Sequence, residues 1–307
     1  MLMFVIRRLL TAIPTLFVII TMAFFLIRIA PGGPFNQERG LNPEIKANLE
    51  RQFGLNDPLW MQYGSYLKNL LKGDFVPSYV MPNFTVAERF ASGLPTSMQL
   101  GLSALVLALL VGGALGVIAA LNQNKAGDYA VIATATAGST IPTFVIAPLI
   151  QLVFGLTWKL LPVGGWGDGA LINKIGPVLT LALPQMAIVA RLMRGSMIES
   201  MRSHHIRTAR AMGLSDWSVV VKHALRGAFL PIVSYAGPAA AALMTGSVIV
   251  ETIFAIPGVG REFVQAALNR DYTVVMGTVV LIAVFTILFN LIVDVVYAFV
   301  DPRVRYD

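Results

Sequence analysis

Residues 191–231 read RLMRGSMIESMRSHHIRTARAMGLSDWSVVVKHALRGAFLP, the one polar block in the second half of an otherwise apolar chain. Seven basic residues (Arg191, Arg194, Arg202, Arg207, Arg210, Lys222 and Arg226) face only two acids, Glu199 and Asp216. Short segments rich in Lys and Arg stay on the cytoplasmic side of a membrane, so the block reads as a cytoplasmic loop. Ser196 and Glu199 have capping-box spacing, which predicts a helix starting there. At 100° per residue, Ile198, Met201, His205, Ala209 and Met212 share one face, while Glu199, Ser200, Ser203, Arg207 and Arg210 share the opposite arc. Gly213 offers the left-handed conformation that ends a helix, and Ser215 or Asp216 can cap a second helix through Lys222. The expectation is two short amphipathic helices bent at a glycine, too polar to cross a bilayer.

The surrounding composition says what the loop is attached to. Of 307 residues, 56% are hydrophobic and 13% charged, and the mean hydropathy is +0.72. Soluble domains carry roughly 25% charged residues, so the chain reads as an integral membrane protein. The formal charge of +7 does not point to nucleic acid, because the basic residues flank apolar spans and no aromatic and basic residues interleave on a soluble surface. Cysteine is absent, which excludes disulfides, thiolate metal sites and a cysteine nucleophile. All three histidines lie in the polar block, and His204 and His205, being adjacent, point to different sides of a helix, a poor geometry for a shared metal.

Six apolar spans follow in order. Arg7 and Arg8 precede residues 9–27, nineteen positions without charge, about 28 Å of helix. That run exceeds the 7 to 15 residues of a signal-peptide core, and no small-x-small cleavage site follows. Residues 31–97 turn soluble in composition and predict a small extracytoplasmic domain of two helices, with Asn42-Pro43 and Asp57-Pro58 as starts and Gly54 and Gly73 as stops. Residues 98–121 form the second span, with Gly112 and Gly116 spaced for a close helix contact. Residues 130–156 form the third, broken by Pro142 and Pro148, and the fourth, 175–190, carries Pro177 and Pro184. The fifth, 228–250, holds Pro231 and Pro238, and the sixth runs over 274–293. Each intramembrane proline frees a carbonyl that must face protein or a wet cavity, which places the third span inside the bundle. The division is thus a tail and first span (1–30), an outer domain (31–97) and a five-helix core (98–307) that contains the loop 191–227.

Charge orients these spans. Arg7, Arg8, Lys125, the seven loop residues, Arg303 and Arg305 fall on one side; Arg28, Lys159, Lys174, Arg261 and Arg270 fall on the other. The excess predicts both termini inside. No phosphate-binding G-x-x-x-x-G-K-[ST], G-x-S-x-G or H-E-x-x-H exists, so neither ATP chemistry nor hydrolysis by those constellations is expected here. Glu251 and Asp294 end spans instead of standing at the midplane, against a carrier driven by protons or Na⁺.

With those residues in hand, the loop resembles a known one. Ala209-x-x-x-Gly213, followed by His223-Ala-Leu225 and Pro231, is similar to the cytoplasmic loop that couples the permease subunits of ABC importers to their ATPases. Arg207, Thr208 and Arg226 depart from the general pattern in the way the peptide-uptake branch does. FGLNDPLWMQYGSYLKNLLKGDF, ETIFAIPGVGREFVQAALNRDY and the tail VDPRVRY resemble the B-type oligopeptide permeases. The resemblance implies an all-α type I importer permease fold, with Arg207, Thr208, Ala209, Arg210, Ala211, Gly213, Leu214, His223 and Leu225 in ATPase coupling. It further implies a homologous permease subunit, two ATPases that bind the ATP and Mg²⁺, and an extracytoplasmic peptide-binding protein as partners, all in the bacterial inner membrane. Pro142, Pro148, Pro184, Pro231 and Pro238 then shape the path, and the chain itself holds no cofactor, metal or catalytic residue. Dipeptides, glutathione, murein peptides, nickel or haem are alternative cargoes within the family, and a proton-coupled carrier or channel is the alternative outside it.

Overall fold

The computed structural model describes residues 2–29, 33–34, 43–73, 77–80 and 84–300. The expected cap at Asn42 and the basic residues Arg303 and Arg305 lie outside them. Fifteen α-helical segments run in order: α1 (Leu2–Ile29), α2 (Pro43–Gln52), α3 (Leu59–Leu71), α4 (Val86–Leu107), α5 (Gly113–Leu121), α6 (Ala126–Thr140), α7 (Thr143–Ile150), α8 (Leu171–Met201), α9 (His204–Ala211), α10 (Asp216–Ser218), α11 (Leu225–Ala228), α12 (Leu230–Met244), α13 (Val248–Ile253), α14 (Val259–Leu268) and α15 (Tyr272–Val300). Wider π turns join α4 to α5, extend α7 and link α10 to α11.

Among the described residues, five helices are long and apolar enough to cross a membrane, and α6 with α7, bent by 101° at their break, make a sixth if they count as one span. The bend has a local cause. Pro142 cannot donate the next helical hydrogen bond and pushes Ile141 out of the helical region, to ψ 121°. The helix beginning at Val86 also runs across position 97. Its start is a capping box in which Thr85 accepts from the Glu88 amide (3.2 Å) and the Glu88 carboxylate accepts from the Thr85 amide (2.8 Å).

The long helix α8 is the hub, packing on α4, α5, α6, α7 and α12; α12 in turn packs on α4 and α15, and α1 lies along α15. Close approach is possible because small residues stand at the crossings. A Cβ on Gly116 would lie 2.5 Å from Met193 Cβ and 2.6 Å from the Ala190 carbonyl, and one on Gly112 would lie 2.7 Å from the Met186 carbonyl. Between α4, α7, α8, α12 and α13 the core holds Leu100, Ile146, Leu181, Leu243 and Phe254. The third span is only half inside this bundle. α7 buries Ile146, Ala147 and Ile150 against α8 and α13, whereas Phe144, Leu149, Leu152 and Leu156 are exposed.

Candidate docking loop

At one end of the bundle, α8 runs straight through the serine expected to start a helix. Ser196 is interior to Leu171–Met201, so Ser196 and Glu199 form no capping box. Gly195 stands directly before the motif, but a single glycine inside a long helix does not end it, and the fourth span simply continues. The break comes at Arg202 and Ser203, where Ser203 turns extended (ψ 158°) and α9 restarts. The restart also shifts the helical phase. Ile206 and Ala209 are the buried residues of α9, whereas His205 and Met212, expected on the apolar face, are exposed.

The α9 face packs on Val219, Val220 and Ala224. Gly213 has φ +77°, as its position predicted, and the turn is a Schellman motif: the Leu214 amide donates to the Ala209 carbonyl (3.3 Å) and the Gly213 amide to the Arg210 carbonyl (2.9 Å). Ser215 caps the next turn by accepting from the Ser218 amide at 3.4 Å. Arg210 and Asp216 approach to 3.9 Å across the bend, both exposed, a pairing of little energetic weight. Around this turn Met212 and Trp217 each expose 77% of their surface.

Several bonds fix the loop to the bundle. Arg194 reaches Asp128 at the start of α6 through two hydrogen bonds, at 2.5 and 2.7 Å, and the Asp128 side chain is buried. Arg191 donates to Ser139 (2.9 Å). Ser200, expected on a solvated arc, donates instead to the Ala224 carbonyl at 2.8 Å, tying α8 to the returning chain.

Arg207, Thr208, Arg210, Ala211, Gly213 and Leu214 are exposed and contiguous, Ala209 is buried beneath them, and His223 and Leu225 are half-buried on the returning segment. The structure therefore brings the nine candidate residues into one small surface. It does not gather the prolines. Pro142 and Pro148 stand on the α6–α7 limb, Pro184 at mid-α8 and Pro231 and Pro238 on α12, and all but Pro184 are exposed. Sequence reasoning missed Met212 and Trp217 as the exposed apolar residues of the turn; two large apolar side chains flanking a glycine inside a polar block were the available signal.

This loop lies inside the stretch with which a family is recognised. Residues 112–306 match the model of the binding-protein-dependent transport system inner membrane component, and residues 1–86 match the N-terminal model of the same membrane component. The chain belongs to this family. It is 51% identical over 306 residues, 100% of both chains, to the oligopeptide transport system permease protein OppB of Salmonella typhimurium. To the dipeptide transport system permease protein DppB of Bacillus subtilis it is 42% identical over 302 residues, 98% of this chain and 97% of the relative. In three dimensions it resembles a chain of the MetNI methionine ABC transporter in an inward-facing conformation, with a TM-score of 0.58 at 17% identity, covering 69% of this chain and 96% of that one. The last comparison establishes a shared fold.

Proposed function

We propose that this chain is one of two permease subunits of an ATP-driven importer of peptides in a bacterial inner membrane. The observation that carries the reading is end-to-end similarity to oligopeptide and dipeptide permeases. In this reading α6 and α7 count as one broken span, both termini are cytoplasmic, and residues 31–97 are extracytoplasmic, as the distribution of basic residues favours. ATP and Mg²⁺ belong to two partner ATPases, and a separate extracytoplasmic protein delivers the peptide. The uncovered α6–α7 face, with Tyr129, Phe144, Leu149, Leu152 and Leu156 exposed, is where a homologous permease would pack.

Coupling runs through the loop. ATPases closing against the 207–217 surface would push α9 and the α10–α11 segment together, because Ile206 and Ala209 pack on Val219 and Val220. The push would pass to α8 through Ser200 and to α6 through Arg194 and Asp128, so the proline-broken limbs would rock as packed bodies.

Affinity purification from native membranes through a tag on this chain tests the reading. A second permease of the same family and a nucleotide-binding subunit are expected to co-purify, with no ATP hydrolysis once they are removed. Isolation of the chain with no nucleotide-binding subunit, under detergent that preserves other membrane complexes, overturns it.

A further inference from the structure

At the end of the bundle away from the loop, α1, α3, α15 and residues 52–57 line a half-open cavity of about 300 Å³, at the lower end of the range of small-ligand sites. Its walls are held firmly. Tyr63 on α3 bonds Thr21 on α1 (2.6 Å), and Phe24 packs against the rings of Tyr63 and Tyr66 at 5.1 and 5.8 Å between centroids.

Two opposite charges line this cavity without pairing. The guanidinium of Arg28 is 3.8 Å from the Phe24 ring centre, and its Nε donates to the Gln62 amide oxygen at 2.9 Å. Among the described residues no carboxylate comes within 4.0 Å of it. A half-buried guanidinium partnered only by neutral groups attracts an anion. Asp57 lies exposed on the same cavity. Gln62 puts its oxygen on Arg28 and its amide nitrogen on the backbone carbonyls of Asp57 (2.8 Å) and Leu55 (3.0 Å), so one side chain ties Arg28 to the 55–57 backbone. The Tyr66 hydroxyl, buried on the cavity wall, has no hydrogen-bond partner among the described residues. Burial pushes that hydroxyl up to about 12, leaving it a neutral donor at physiological pH, and the amide of Asn69 completes the polar wall.

We infer that this cavity is a second peptide site, on the permease itself, which takes a short zwitterionic peptide with its C-terminal carboxylate on Arg28 and its terminal ammonium toward Asp57. The preference for a peptide rests on the importer reading above; an Arg28 with no carboxylate partner among the described residues and an exposed Asp57 on one cavity fit a ligand that carries both a carboxylate and an amine. Amide and hydroxyl side chains between them suit a peptide backbone.

The test uses the full chain in phosphatidylcholine nanodiscs, without partners or ATP, titrated calorimetrically with trialanine, trialanine amide and N-acetyl-trialanine. Trialanine is expected to bind saturably, trialanine amide about 10- to 100-fold more weakly, the usual worth of a hydrogen-bonded charge on half-buried Arg28, and N-acetyl-trialanine about 2- to 5-fold more weakly, the worth of an exposed pair. Arg28→Gln should erase the preference for a free carboxylate, and Asp57→Asn the preference for a free amine. Ser65→Trp, which fills the cavity from an exposed position of α3, should abolish binding even if Arg28→Gln does not fold. Absence of saturable trialanine binding, equal binding by Ser65→Trp, or competition by inorganic phosphate at the same concentrations as trialanine overturns the inference. Because no partner is present, that failure is separable from failure of the importer reading, which co-purification decides.

Discussion

Gly213 joins two helices at φ +77° with open space where a Cβ would stand, so a side chain there meets nothing in this chain. Its cost is conformational, about 1 kcal/mol for a left-handed turn, and steric toward whatever docks outside. Gly213→Asp is therefore expected to leave the protein inserted at normal abundance while peptide uptake falls about tenfold, the effect of ~1.4 kcal/mol at the docking face. Uptake and ATPase co-purification, measured beside Glu199→Gln on the exposed side of α8, check this; normal transport by Gly213→Asp means the turn does not dock. Ser200→Ala cannot serve as a silent control, since it removes the bond to the Ala224 carbonyl. The glycine was legible in the sequence because few residues other than glycine and asparagine accept that conformation readily. The exposure of Met212 was not, because it depends on the helical phase, which the break at Ser203 resets.

The same spacing that misplaced a helix start at Ser196 marks a real one at Thr85. What separates them is context: Thr85 begins the chain's return into helix after non-helical residues, whereas Ser196 sits inside a helix already propagating, where each added residue needs no new nucleus. Glycine spacing proved more informative, since Gly112 and Gly116 do admit a neighbouring helix, although nothing in the sequence names that neighbour as α8. Gly116→Ala is expected to cost ~1–3 kcal/mol from overpacking against Met193 and the Ala190 backbone. Gly113→Ala, whose nearest neighbour would be Met193 Cε at 3.8 Å, should be neutral or slightly stabilising. Thermal unfolding in detergent compares the two, and equal midpoints contradict the packing assignment. The break at Pro142 was legible from proline chemistry; its 101° angle was not, because the angle depends on what α8 and α13 leave room for.

Across the whole chain, apolar length carried most of the helical architecture, since it follows from the cost of polar groups in hydrocarbon. Burial of acidic side chains escaped that reading. Glu251, read in the sequence only as the end of the fifth span, is fully buried; it accepts from Ser97 (2.7 Å) and the Arg261 amide (3.1 Å) and pins the 255–261 turn to α4. Such networks join residues far apart in sequence, and no local pattern announces them. The proposed orientation predicts that a cysteine at exposed Lys68, on α3, reacts with an impermeant maleimide in intact cells stripped of their outer membrane; labelling only after lysis reverses the topology. The most direct measurement is accumulation of a radiolabelled tripeptide by proteoliposomes holding the complex purified through a tag on this chain, with the peptide-binding protein outside. Accumulation with ATP at the ATPase side, and none with ADP, is the predicted result; accumulation driven by a proton gradient without ATP would contradict it.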